Sequence, residues 1–188
     1  MKKKLLILIL ILLFTSGCKE EKTAIPVTIS PVNVQTKSCL ITNNFYSDQC
    51  IEGNDISTAL MDYVNVDYEF ELKTSDSKEF DYHVYEDTYI VIEEEDKVIY
   101  EEKVDETKFS DIKDGRDIIT IEGTEKIYPK PYIEKIAKVL YEKQYSPSKT
   151  YIKYIQKIKT TNNIKKELLE VKIELIDGNY KITTNTLT

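Results

Sequence analysis

The sequence predicts an α+β fold built of antiparallel meanders, each preceded by a helix, and three observations predict it. Tyr68, Phe70 and Leu72 alternate with Asp67, Glu69 and Glu71, and Phe80, Tyr82 and Val84 alternate with Asp81 and His83. That period of two is the mark of a half-buried strand. The spacing turns helical ahead of each strand-rich stretch, over Ile56, Leu60, Met61, Tyr63 and Val64 and again over Tyr132, Ile133, Ile136, Ala137, Leu140 and Tyr141. Lastly, fourteen Tyr and five Phe supply surface to bury, while only five Gly and five Pro break the chain, so regular elements joined by short turns are expected.

Each element has its own signal. Asn54 or Asp55 caps the first helix, which ends where Val66 begins a different period. Thr88 to Glu93 and Lys97 to Val104 read as a hairpin turning through Glu94, Glu95 and Asp96, and Ile118, Ile119 and Ile121 as a further strand after Asp114-Gly115. Pro129 and Pro131 suit the start of the second helix, where a missing amide donor costs nothing. Tyr151 to Lys159 fits either period, and its β-branched and Tyr content favours a strand. Leu168 to Ile176, the turn Asp177-Gly178-Asn179 and Tyr180 to Thr186 form a closing hairpin.

Charge divides the chain. From 18 to 125 there are 10 Lys or Arg against 27 Asp or Glu, net −17, and from 126 to 188 there are 13 against 6, net +7. The expected organisation is therefore an acidic α+β region over 39–125 and a basic helix plus three-stranded meander over 126–188. Either the basic part packs beside the acidic part and neutralises it, or it faces an anionic envelope. Nucleic acid is excluded as a partner because the lysines alternate with Ile and Glu and form no dense basic run.

The first residues carry the clearest functional signal. Lys2, Lys3 and Lys4 precede ten apolar residues, Leu5 to Phe14, and then Thr15, Ser16 and Gly17. This is the layout of an export signal over 1–17, too short to span a bilayer, which takes about 20 apolar residues. Thr15-Ser16-Gly17-Cys18 resembles the bacterial lipoprotein lipobox. The resemblance implies lipidation of Cys18 with diacyl (palmitate-type) chains, and a cell-membrane location facing outside the cytoplasm. Residues 18–38, Thr-rich with Pro26 and Pro31, read as an extended tether reaching at most roughly 65 Å. A short edge strand through Val27, Ile29, Val32 and Val34 is the competing reading.

Cys39 and Cys50 are natural disulfide partners in an exported chain. The stretch Val171-Lys172-Ile173-Glu174-Leu175, followed after the turn by Tyr180-Lys181-Ile182, resembles the last hairpin of NTF2-like or cystatin-like lipoproteins. If the first half is a diverged copy of the second, that resemblance implies two small modules of this kind.

Catalytic signatures are absent: the sequence has no GxGxxG, GxxxxGK, GxSxG or HExxH. The only histidine, His83, falls on the outward side of its strand, and Glu93 to Asp96 read as a solvated turn, so neither a metal nor a cofactor is expected. The expected function is a non-catalytic binding or accessory role in the cell envelope, on an unknown protein or envelope polymer, with the membrane reached through the lipid anchor. A cystatin-like inhibitor or immunity protein, and a small hydrolase cutting wall polymer with paired carboxylates, are the alternatives.

Overall fold

The computed structural model describes residues 27–42, 48–74, 81–113, 118–160 and 165–187, with backbone alone at 81, 107–113 and 160. Ten strands and one helix stand among the described residues: β1 (Val27–Leu40), β2 (Gln49–Glu52), β3 (Asp55–Thr58), β4 (Tyr63–Thr74), β5 (Asp81–Glu94), β6 (Lys97–Lys113), β7 (Ile118–Ile127), α1 (Pro129–Lys143), β8 (Lys149–Thr160), β9 (Lys165–Ile176) and β10 (Asn179–Thr186). They form two antiparallel sheets, a smaller one in the order β2-β1-β4-β7 and a larger one in the order β3-β10-β9-β8-β5-β6. One hydrophobic core runs through both.

This architecture corrects the α+β expectation. The described residues are mostly strand with a single helix, and the division into two small cystatin-like or NTF2-like modules falls with the α+β reading. Among the described residues no helix precedes the first meander. Ile56 lies in β3 opposite Ile182 of β10, and Val64 lies in β4 between Ser38 and Ile127, so the helical spacing of Ile56, Leu60 and Val64 comes from two strands meeting at a bend. A helix of so few residues carries the full nucleation cost, which the ladder pairs outweigh.

Residues 27 to 38, expected within the tether, belong to β1. Their inward positions after Pro31 include the buried Thr36 and Ser38, polar enough to hide the strand from a hydrophobic pattern. Pro31 sits at a register shift, and β2 pairs only with Lys37 to Leu40, so the proline occupies an open edge where its missing N–H breaks no ladder. The regions 39–125 and 126–188 are likewise not separate bodies. β8 pairs along its whole length with β5, and β10 pairs with β3.

That interleaving resolves the charge asymmetry. Lys135 meets Glu102 at 2.7 Å, Lys149 meets Asp96 at 2.6 Å, Lys157 meets Asp87 at 2.8 Å, and Lys153 pairs with Glu101. Lysines of the basic half are thus placed on acids of the other half.

The later elements stand where their periods put them. α1 starts with Pro129 in its first turn and ends at Gln144, left-handed at φ 55°. It buries Ile136 and Val139 against the inner face of the larger sheet, packing on β5 and β8. Leu169, Val171 and Ile173 of β9 are buried on that face, and Asp177 and Gly178, both at positive φ, turn the last hairpin.

One close approach in the smaller sheet gives a test. Gly123 lies opposite Tyr68, whose ring folds over it so that Cζ would be 2.7 Å from a Cβ at that position. Alanine in a strand ordinarily gains on glycine by about 0.5 to 1 kcal/mol. Here Gly123→Ala is expected to lose about 1 to 3 kcal/mol because the phenol must move within a packed core. A denaturation midpoint equal to or above that of the parent would disprove the contact.

Candidate functional site

The inner face of the larger sheet carries a polar interruption. Along β5 the inward residues are Tyr82, Val84, Glu86, Thr88, Ile90 and Ile92, and along β8 they include Ile152, Tyr154, Gln156 and Ile158. Glu86 and Gln156 face each other across the β5–β8 pair. Glu86 is only 8% exposed and Gln156 fully buried. Burying such groups costs free energy unless they are hydrogen-bonded.

The partners come from three other elements. The Tyr154 hydroxyl donates to Glu86 Oε1. Glu125, near the end of β7, comes within hydrogen-bonding reach of Glu86. Tyr132, in the first turn of α1, reaches Thr88. Tyr68 of β4 approaches the Gln156 amide, yet neither amide atom completes a hydrogen bond. Where β7, α1 and the larger sheet converge, a cavity of about 150 Å³ remains, lined by Glu86, Asp105, Glu125, Tyr132 and Tyr154 among others.

Burial dominates the electrostatics. It pushes the Glu86 carboxyl up to about 8, opposed by the Tyr154 hydrogen bond and reinforced by Glu125. Burial also raises Glu125, partly offset by its contact with Glu86, and raises Tyr68 to about 12. Tyr154 is pushed well above its ordinary range by burial and by the adjoining Glu86. At neutral pH Glu86 is thus mainly the protonated partner, able to donate a hydrogen bond to Glu125. Lys126 also lines the cavity, and its ammonium stands 4.5 Å over the Tyr63 ring.

A second depression, of about 140 Å³, lies between α1 and β8–β10 and is largely apolar. Ile133, Ile136 and Leu140 line it from the helix, and Ile173, Leu175 and Tyr180 from the sheet. Leu175 is 42% exposed at its margin.

The residues singled out from the sequence lie elsewhere. Cys18 is outside the described residues. Cys39 and Cys50 are opposite one another in the β1–β2 register and joined by a disulfide, their Cα atoms 4.1 Å apart. His83 is half-buried on the outer face of the larger sheet. Glu95 and Asp96 form the β5–β6 turn with positive φ, and Asp96 is held by Lys149. Glu86, Glu125 and Gln156 were not singled out, although Glu86 and Gln156 each show one signal, a polar residue at an inward position of an otherwise apolar row.

No protein-family model matches this chain, and no curated protein matches it either.

Proposed function

We propose that this chain is a lipid-anchored protein of the cell envelope, facing outside the cytoplasm, that works by binding a protein or envelope polymer and not by catalysis. Support for the anchor is the sequence from Lys2 to Cys18, and the Cys39–Cys50 disulfide suits an oxidising compartment.

The observation that carries the non-catalytic reading is the contact between Glu86 and Glu125. Glycoside hydrolysis needs two carboxyls about 5 Å or more apart flanking the scissile bond. Here Glu86 and Glu125 line one small cavity, each raised by burial and each acting on the other. Support for binding is the apolar groove beside α1, with Leu140, Leu175 and Tyr180 along it.

Cys18→Ser should release the protein to the soluble fraction or leave an unprocessed precursor, because two acyl chains are what make membrane attachment firm. A Cys18→Ser variant that still matures and stays membrane-bound overturns the anchor. A photo-crosslinker replacing Leu175 in the anchored protein should give a discrete adduct, and one replacing Lys138 on the outward side of α1 should not.

A further inference from the structure

The hairpin end of β8 and β9 carries lysines that the rest of the sheet does not neutralise. Lys159 of β8 stands directly opposite Lys165 of β9, and the same cross-strand row continues through His83 of β5 to Asp111 of β6. Like charges directly opposite one another destabilise a sheet. The other opposed lysines of this hairpin are compensated: Lys153 pairs with Glu101 and sits 4.8 Å over the Tyr89 ring, and Lys172 sits 3.6 Å over the Tyr151 ring. Lys157 is held by Asp87 and Glu167. Lys159 and Lys165 form no ion pair among the described residues. Between them, with His83, Tyr85 and Glu106, lies a depression of about 280 Å³. Glu106 is itself engaged by Lys103 at 2.7 Å.

The position of this row in the fold points to its occupant. Val27 pairs with Thr74, the last residue of β4, and the next strand in the chain, β5, starts at Asp81. Tyr82, at the start of β5, pairs with Thr160, next to Lys159. The end of the fold from which the N-terminal segment departs is therefore the end that bears Lys159 and Lys165. Eight residues lie between Cys18 and Val27, so a lipidated Cys18 would keep that end within roughly 30 Å of the bilayer.

We infer that the Lys159–Lys165 row, with His83 and Tyr85 beside it, is an anion site for the phosphate of an acidic lipid headgroup, which seats the tether end of the protein on the membrane. The inference rests on the lipid-anchored reading. Its ligand chemistry is that of a phosphate mono- or diester, and Lys suits it as a point charge.

The test uses the full lipid-bearing protein in phosphatidylcholine vesicles, in vesicles of phosphatidylcholine mixed with phosphatidylglycerol, and in neutral-detergent micles with or without inorganic phosphate. Acetylation of Lys159 and Lys165, read by peptide mass spectrometry, should slow about fivefold on the acidic vesicles relative to the neutral ones. Acetylation of Lys138 should not change. Lys159→Gln/Lys165→Gln protein should float with both vesicle types and lose its preference for the acidic surface, read as salt-resistant docking. Failure of the parent to float with phosphatidylcholine vesicles overturns the anchor, and the comparison on acidic vesicles then still decides the site. Equal acetylation on both vesicle types overturns the headgroup site. Protection by inorganic phosphate in micelles as strong as that on acidic vesicles overturns the lipid assignment in favour of a free anion.

Discussion

Glu86→Gln is expected to flatten the pH dependence of stability. In the folded protein burial raises this carboxyl from the ordinary 4.5 to about 8, so between those values the folded state holds a proton that the unfolded state has released. Stability from this group is fully present below about pH 4.5 and is lost as the pH rises, by at most about 1.4 kcal/mol per unit. Glu125, also raised by burial, acts in the same sense. Asp67 and Asp87, held below their ordinary value of 3.8 by partners that include Lys37 for Asp67 and Lys103 for Asp87, act in the opposite sense and only at lower pH. Unfolding by urea should therefore show the parent weaker by roughly 3 kcal/mol at about pH 8 than at about pH 5. In the variant the difference should fall below about 1 kcal/mol, because an amide keeps an acceptor for Tyr154 and cannot ionise. Parallel pH profiles for the two proteins would mean that Glu86 is not buried as described.

Phe70→Ala is expected to cost about 3 to 5 kcal/mol, a large share of what a domain of this size possesses. Phe70 is fully buried in β4, paired with Pro31 on one side and Ile121 on the other, and it faces the larger sheet. Truncating it opens a void in the core that it shares with Tyr68, Leu72, Ile119 and Ile121 of the same sheet. Thr120→Ala, an exposed site on the neighbouring strand, should change stability by no more than about 0.5 kcal/mol. Similar midpoints for the two variants would refute the two-sheet core.

Local pattern made much of the secondary structure legible and almost none of its assembly. The alternation from Tyr68 to Leu72 and the Asp177-Gly178 turn are properties of adjacent residues and appear where their period places them, whereas of the stripe expected on α1 Ile136 is buried, Ala137 and Tyr141 are exposed, and Val139 is buried in their place. β1 was obscured by its own chemistry, since Thr36 and Ser38 fill inward positions without hydrophobicity. Ile56 to Val64 misled because a bend between two short strands can copy a helical spacing. Pairings such as Ile56 with Ile182, or Tyr89 with Lys153, join residues far apart in the chain, and nothing in either neighbourhood specifies the partner. The polar core was half visible, as Glu86 and Gln156 break apolar rows. Glu125 was not, because only the arrival of β7 beside α1 turns an ordinary strand acid into Glu86's neighbour.

The pairing of β3 with β10 bears on the order in which the chain can fold. β3 is made early and has one ladder partner in the larger sheet, and that partner is the last strand to appear. β5 can pair at once with β6 but gains β8 only after β7 and α1 have been made. A chain emerging from its N-terminus thus holds unpaired strand edges until β8 and β10 are available, and such non-local pairing makes folding slow and exposed to aggregation. Thr184 closes the sequence by donating its backbone N–H to Asn54 and placing its hydroxyl 2.7 Å from that of Thr36. β10 acts as the latch of the larger sheet, and without it the chain would keep every strand of the smaller sheet yet leave β3 and β9 open to pair with another molecule.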